Sequence, residues 1–378
     1  MERAALKYDF YFLNFSGTKL LFSIFERNQI EALFVGGCVR DAILGEKTED
    51  FDIAINAGIS DVINILKNEG IECILTGIKY SSITVIINGL KFQLTSLRKD
   101  EKCFGRHCEH SRTSSLKEDV KRRDFTINAI YVSKSGELFD YFNGIKDLYN
   151  KKVRFIGDLE KRITEDYLRI FRYYRFCAKY GDLENQYSDA IKNFSKQIKL
   201  ISIERIQKEL FKVLESKHTI PILSNMNNSL VFSNIFNNVN IDTLTKAPQD
   251  ISLDLKLYLS FSYDDLTTTF RLTKLQKQKI KEYKHYEKER ALFCYYKKGK
   301  EFLEEIEIIK RSVLNEQIDL SITNKKLPEF PIKYKDLPIE IKNAAMKIKA
   351  CEKWWVNNNF KPNKNNCLSY IKSINSLG

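Results

Sequence analysis

Asp50 and Asp52 stand two apart in the run DFDIAI, so on a β-strand both carboxylates project from one face while Phe51 and Ile53 turn to the core. Two oxygen donors on one face suit a hard cation such as Mg²⁺, which takes one or two carboxylates and completes its shell with substrate phosphates and water. Upstream, Gly36 and Gly37 break a short apolar run, and Arg40 follows within the next helical turn. A strand, a glycine turn and a helix beginning there bring backbone N–H groups and a guanidinium close to an anion. Each signal alone has an ordinary explanation, since Gly-Gly marks many tight turns and Asp-x-Asp many solvated strand ends. In this order and this close together they describe a phosphate site leading directly into a metal site.

Three further groupings carry chemistry. In RRDFTINAIY, residues 122–131, the paired arginines can fork onto phosphates, and Asp124 and Asn128 can either hydrogen-bond a ribose or fix the arginines in place; a surface salt bridge is the plain alternative. In EDYLRIFRYYRF the periodicity predicts one helix bearing Glu165, Asp166, Arg169, Arg172 and Arg175. Asp166 and Arg169, three apart, become surface neighbours on it, and Arg172 and Arg175 continue a basic row, a pattern that is ordinarily an ion-pair face. In SIERIQKELFKVL, Ser202 is placed as an N-cap, with Glu204, Arg205 and Glu209 on an amphipathic helix whose role is scaffolding.

The elements that must hold these residues follow from period and punctuation. Leu33 to Val35 reads as a buried strand, and Val39 to Leu44 as a helix stopped at Gly45. From Leu33 to about Asp140, strand-like runs (EALFVGG, DFDIAI, SSITVIING, KFQLTSLR, FTINAIYV, GELFDYF) alternate with helical ones, and Asn88-Gly89 predicts an antiparallel hairpin between its two flanking runs. Beyond about Asn143 strand signals fade and helical periodicity dominates. Between Arg98 and Arg123 lies a polar segment too long for an ordinary connection, read as a functional or mobile loop. Its cluster Cys103, His107, Cys108, His110 matches no standard zinc spacing, which splits its ligands between two knuckles.

The bulk properties bound the partners. A chain of 378 residues is long enough for two or three domains, and a net charge of +13 spread along it predicts a polyanionic partner, nucleic acid first. No stretch has the apolar length to span a bilayer, and MERAALKYDFYF lacks the apolar core of a signal peptide, so a cytoplasmic location without membrane association is expected. Eight cysteines without CxxC pairs fit reduced, buried thiols.

Taken in order, GGCVRDAILG with DFD, RRDFTINA, FDYFNGIKDL, EDYLRIFRYYRF and ERIQKEL resemble motifs A to E of the class II tRNA nucleotidyltransferases, the bacterial-type CCA-adding enzymes of the polymerase-β superfamily. The resemblance covers about Leu33 to Leu214; the remaining residues match only in being basic and helical. It implies an α+β protein, with a mixed α/β polymerase-β-type nucleotidyltransferase head (1–142), a helical neck that recognises the base (143–215), and a helical body and tail that bind tRNA (216–378). The implied reaction is template-independent addition of C, C and A to tRNA 3′ ends from CTP and ATP.

The same resemblance assigns roles. Asp50 and Asp52 would be catalytic and hold Mg²⁺. Gly37, Arg40, Arg123, Arg172 and Arg175 would bind the phosphates or ribose of the nucleotide; Gly36, Asp124 and Asn128, read from the residues themselves, are expected beside them in the nucleotide site. Asp166 and Arg169 would act as a protein template for the base edge. An acceptor beside a donor fork complements cytosine N4 and N3 or adenine N6 and N1, whereas the carbonyls of uracil and guanine would face the carboxylate. Two positions depart from the family pattern: Gln93 stands where many members carry a third carboxylate, and Phe104-Gly105-Arg106-His107 where relatives often read Asp-Gly-Arg-His. CC-adding, A-adding and poly(A)-polymerase activities share these motifs and are the enzymatic alternatives. A non-catalytic RNA-binding protein is opposed by the intact aspartate pair, and an appended phosphohydrolase by the lack of any His-Asp dipeptide.

Overall fold

The computed structural model describes residues 8–75, 77, 78, 81–104, 107–338, 341 and 343–374, with backbone alone for 100–104 and 107–110. The chain divides into two compact units, Met1–Asn234 and Ile235–Gly378.

The first unit is built on a seven-stranded mixed sheet. Its strands are β1 (Ala32–Val35), β2 (Asp50–Ile55), β3 (Cys73–Ile74), β4 (Ser82–Ile87), β5 (Leu90–Ser96), β8 (Ile130–Val132) and β9 (Leu138–Asp140), in the order β3-β4-β5-β2-β1-β8-β9. A separate two-stranded hairpin is formed by β6 (Arg98–Phe104) and β7 (His107–Arg112). Strand β1 runs antiparallel to β2 and β8, and β2 runs parallel to β5. The Asn88-Gly89 turn has positive φ at both residues and joins β4 to β5 antiparallel, as the sequence predicts.

Alternation along β2 separates the two faces of the sheet. Phe51, with Phe34 of β1 and Phe92 of β5, packs on one side, where Phe12 lies 4.5 Å from Phe34 and Phe22 of α1 (Ser16–Arg27) stacks on Phe34 at 5.2 Å. These rings are buried, and their transfer from water anchors the sheet. The opposite face carries Val35, Ala54, Val120, Ala129 and Tyr131 as a second core. Asp50 and Asp52 sit on that face, at the beginning of β2 where the apolar cover ends.

The FDYFNGIKDL motif is a support beneath the site. Asp140 accepts the N–H groups of Gly144 (2.8 Å) and Ile145 (2.9 Å) at the start of α5 (Gly144–Tyr149), and buried Asp147 accepts the Thr126 hydroxyl at 2.6 Å. A Cβ on Gly144 would fall 2.2 Å from the Thr126 carbonyl oxygen, so glycine permits the approach that seats the 3₁₀ turn Thr126–Asn128.

Two expectations are corrected here. The polar segment after Arg98 is not an irregular loop: it is the β6–β7 hairpin followed by α4 (Leu116–Lys121). Residues Gly105 and Arg106, with the comparison to Asp-Gly-Arg-His, lie outside the described residues, as do the side chains of the Cys103, His107, Cys108, His110 cluster. The single helix predicted over EDYLRIFRYYRF is two, α6 (Leu159–Glu165) and α7 (Leu168–Tyr180), with Asp166 in extended conformation between them. The Asp166 carboxylate accepts the Leu168 N–H at 3.1 Å, the local bond by which aspartate starts a helix rather than continues one.

The unit ends in α8 (Ser188–Asn193), α9 (Ile203–Leu214) and α10 (Thr219–Asn228). Ser202 occupies the N-cap position of α9, but its hydroxyl makes no capping bond. The second unit is helical, with α11 (Ile241–Thr245), α12 (Leu253–Ser260), α13 (Lys274–Tyr286), α14 (Ala291–Lys298), α15 (Lys300–Ile309), α16 (Ala344–Asn357) and α17 (Lys364–Ser373). Trp355 is buried there and donates its indole N–H to the Pro362 carbonyl, while Trp354 stacks on Tyr370 at 4.3 Å. Cys38, Cys73, Cys177, Cys294, Cys351 and Cys367 are free thiols, and among the described residues no helix is long and apolar enough to cross a membrane.

Candidate active site

The run Leu33–Val35 ends at Gly36, whose φ of 75° and ψ of −126° lie where side-chain-bearing residues are strained. From there α2 (Gly37–Ile43) begins, so the strand, glycine turn and helix read from the sequence are present. A Cβ on Gly36 would lie 3.7 Å from Asp52 Oδ2 and 3.9 Å from Arg123 Nη1, which shows how closely carboxylate and guanidinium approach the turn. The helix is only seven residues long, so the attraction for an anion comes mainly from side-chain cations around it.

Those cations are held by a relay of hydrogen bonds. Arg40 Nη1 donates to Asn128 Oδ1 at 2.5 Å, and its Nε and Nη2 donate to Asp41 Oδ1 at 3.0 and 2.9 Å. Asn128 Nδ2 donates to Asp124 Oδ1 at 3.1 Å, and Asp124 Oδ2 accepts Arg172 Nε at 2.7 Å and also Arg172 Nη2. The arginines that Asp124 and Asn128 hold are thus Arg172 and Arg40, not the adjacent Arg122–Arg123 pair that the sequence reading has them fix. Burial raises the Asp124 pKa, but Arg172 and the Asn128 amide outweigh it and hold the carboxyl at about 2.

Arg123 is aimed by residues the motif reading overlooked. Its Nε donates to Tyr131 Oη at 2.6 Å and its Nη2 to Asp119 Oδ2 at 3.3 Å; Tyr131 donates its hydroxyl to the same Asp119 oxygen at 2.6 Å. Asp119, fully buried, also accepts Arg122 Nε at 2.8 Å. Its burial opposes ionisation, yet Arg123 and Arg122 keep its pKa below the ordinary aspartate value. The available signal was its position three and four residues before the two arginines, helical pairing distance.

Arg175 lies 2.6 Å from Glu209 as an ion pair, and its guanidinium sits 4.0 Å from the Phe176 ring centroid. Burial lowers its pKa, Glu209 opposing and Arg172 adding to the effect, so its charge is under-solvated. An incoming polyanion would relieve that. Asp52 shows the complementary imbalance: burial first, then the Asp50 charge, raise its pKa against the pull of Arg123 and Arg40. Asp50 is largely exposed, and Lys91 approaches it at 3.3 Å. Gln93 pairs with Asp52 across the parallel β2–β5 ladder, so an amide stands beside the second aspartate.

These groups surround a cavity of about 750 Å³. Gly36, Gly37, Arg40, Asp50, Asp52, Arg123, Asp124, Asn128, Arg172 and Arg175 all line it, together with Lys179, Lys212 and Lys217, which the motif reading left out. Cations outnumber carboxylates around it, which focuses a field suited to a triphosphate. The two carboxylates fit a hard divalent ion as a donor set, since Mg²⁺ is ordinarily held by one or two carboxylates plus phosphates.

Asp166 and Arg169 are not among the residues lining the cavity, and although the Arg169 N–H donates to the Asp166 carbonyl at 2.9 Å, their side chains are bound to other partners. Arg169 Nη1 donates to Glu165 Oε2 at 2.6 Å and to the Arg162 carbonyl at 2.8 Å. Glu165 also accepts Arg162, whose Nη2 reaches the Arg123 carbonyl at 2.8 Å. This network clasps the α6–α7 junction to the backbone beside Arg123. Asp166 is bound instead by Arg205 of α9.

Comparison with known proteins agrees with this geometry. Residues 32–154 match the poly A polymerase head domain, and residues 182–241 match a domain described as "Probable RNA and SrmB- binding site of polymerase A". The mitochondrial CCA tRNA nucleotidyltransferase 1 of Danio rerio is 39% identical over 203 residues, 52% of this chain and 47% of that protein. The chain thus aligns with about half the length of the curated relatives it matches. Among solved structures, the Bacillus stearothermophilus CCA-adding enzyme in complex with CTP superposes with a TM-score of 0.68 at 20% identity, over 96% of this chain and 98% of that one. The Thermotoga maritima CCA-adding enzyme complexed with tRNA gives 0.66 at 19% identity, over 94% of each. These likenesses show the fold: a mixed α/β head with a helical remainder.

Proposed function

We propose that the chain is a template-independent nucleotidyltransferase that adds C, C and A to tRNA 3′ ends from CTP and ATP and releases pyrophosphate. The observation that carries this reading is the placement of Asp50 and Asp52 on one face of β2, opening into the cavity whose other walls are Arg40, Arg123, Arg172 and Arg175. The head-domain match and the CCA-adding relatives support it.

In this reading Asp50 and Asp52 hold Mg²⁺, which when bound supplies Lewis-acid activation of the attacking 3′-hydroxyl and charge neutralisation at the leaving pyrophosphate. Arg40 and Arg123, already fixed by Asn128 and Tyr131, take the phosphates without reorganising. Arg172 and Arg175 face the same nucleotide from α7. Asp166 presents an acceptor to the base edge, and Arg169 a donor once its guanidinium turns from Glu165 and the Arg162 carbonyl. Residues 1–142 act as the catalytic head, 143–215 as the neck that reads the base, and 216–378 as the body and tail that bind tRNA.

The deciding experiment incubates the protein with tRNA lacking its 3′ end, Mg²⁺ and each labelled nucleotide. Addition of C, C and A followed by arrest is the expected result. Arrest after CC, addition of A alone to tRNA ending in CC, or an open-ended A tail would each select one of the enzymatic alternatives. No incorporation of any nucleotide would leave an RNA-binding protein that retains the fold.

A further inference from the structure

We infer that Lys212, together with Arg175, forms a distal phosphate subsite that holds the β- and γ-phosphates of the incoming nucleotide, the part that leaves as pyrophosphate. This inference rests on the proposed reaction, which supplies a nucleoside triphosphate. Lys212 stands in the last turn of α9, outside the motifs assigned to nucleotide binding, and lines the same cavity as Asp50 and Asp52. Neighbouring cations of that cavity already face carboxylates: Arg172 faces Asp124, and Lys179 faces Asp41 at 2.9 Å and Glu46 at 3.1 Å. Glu209, three residues before Lys212 on α9, is taken by Arg175 at 2.6 Å. Among the described residues no carboxylate forms an ion pair with Lys212, and the residue is exposed, so its charge is open to an anion entering the cavity.

The cations fall into a row that leads away from the aspartates. Arg123 and Arg40 are the positive charges that act most on Asp52. The Arg40 guanidinium lies 5.2 Å from the centroid of the buried Phe176 ring, and Arg175 lies 4.0 Å from the same ring. Lys212 in turn has Arg175 as its leading charged neighbour. A nucleotide whose α-phosphate meets the aspartates, where the bond is exchanged, extends its other phosphates along this row and ends at Arg175 and Lys212. A terminal phosphate carries up to two charges where an RNA phosphodiester carries one, which favours it for a pair of adjacent cations. Desolvation, then the Arg175 charge, lowers the Lys212 pKa, and burial lowers that of Arg175, so each cation gains from an anion within reach of both. An ammonium on a flexible stem suits a group that must depart, whereas the fixed fork of Arg172 suits one that is held still.

The test titrates the full chain, in the presence of Mg²⁺, with pyrophosphate, with CMP and with tRNA lacking CCA. The variants are Lys212→Met, Lys212→Arg and Lys208→Met, with thermal melting as a control for folding. Lys208, one turn earlier on α9, is exposed and does not line the cavity, so it reports the loss of a charge in general. Lys212→Met is expected to weaken pyrophosphate binding about tenfold, the scale of one lost charge-assisted hydrogen bond, while CMP and tRNA bind as to the parent. Lys212→Arg should keep most of the affinity, and Lys208→Met all of it. Parental pyrophosphate affinity in Lys212→Met overturns this inference alone, as does an equal loss in Lys208→Met or an equal loss for CMP. A loss confined to tRNA assigns Lys212 to the RNA phosphates and overturns it too. A parent that binds pyrophosphate but incorporates no nucleotide overturns the proposed function, and with it the assignment of this phosphate to a leaving group.

Discussion

Arg172 on α7 donates both its Nε and its Nη2 to one oxygen of Asp124, the residue that follows the Arg122–Arg123 pair, and so ties the helix bearing the basic row to the 3₁₀ turn bearing Asn128. Because Asn128 in turn holds Arg40, this carboxylate is the hub through which guanidinium groups on two elements keep a common orientation.

That hub has a pH signature. The Asp124 carboxyl titrates at about 2 in the folded protein, below the ordinary aspartate value of about 3.9. The stability it contributes is therefore complete above about pH 4 and is lost as the pH falls toward 2. Asp124→Asn is expected to cost on the order of 2 kcal/mol at neutral pH, from the size of that shift. Denaturant melts across the acid range check this: the deficit relative to the parent should shrink between pH 4 and 2, and a deficit independent of pH would contradict the assignment.

Removing either carboxylate of β2 should separate catalysis from binding. Asp50→Ala and Asp52→Ala are expected to bring nucleotide addition below detection while tRNA affinity stays near that of the parent, because neither side chain is needed to complete the core. Single-turnover incorporation and filter binding on the same preparations give both quantities. Near-parental incorporation by either variant would sink the catalytic assignment.

The β6–β7 hairpin forms its own two-stranded sheet, apart from the seven-stranded one. A two-stranded ribbon adds little stability of its own, which suits an element that rearranges when the substrate changes. Shortening the segment between Arg98 and Arg112 is expected to spare C addition and depress A addition. Single-nucleotide assays on tRNA lacking CCA and on tRNA ending in CC decide the point; an equal loss of both activities would remove the switch from this segment.

The positive charge of the whole chain should appear in RNA affinity. With a net charge of +13, tRNA binding through phosphate contacts is expected to weaken about a thousandfold between roughly 50 and 200 mM salt. Equal affinity for an unstructured RNA of the same length, or a flat salt dependence, would show that residues 216–378 do not read tRNA by shape and charge.

The framework of the candidate site was legible along the chain because its signals are local. Period-two alternation puts Asp50 and Asp52 on one face and Phe51 on the other, glycine marks the strained turn at Gly36, and Asn88-Gly89 specifies its hairpin through the backbone conformations those residues tolerate. Periodicity reports faces, however, and not partners. It carried a helix through Asp166, although an aspartate whose carboxylate bonds the N–H two residues on is a helix-start signal that competes with continuation. It gave a loop after Arg98 because the polar run there carries no apolar alternation to mark its strands. The partners that aim the arginines, Tyr131 and Asp119 on Arg123, Asn128 on Arg40 and Asp124 on Arg172, depend on how α2, α4, α7, β8 and the 3₁₀ turn come together. A hydrogen bond between residues far apart in the chain has no spacing to announce it, so tertiary packing alone chose Arg205 rather than Arg169 for Asp166.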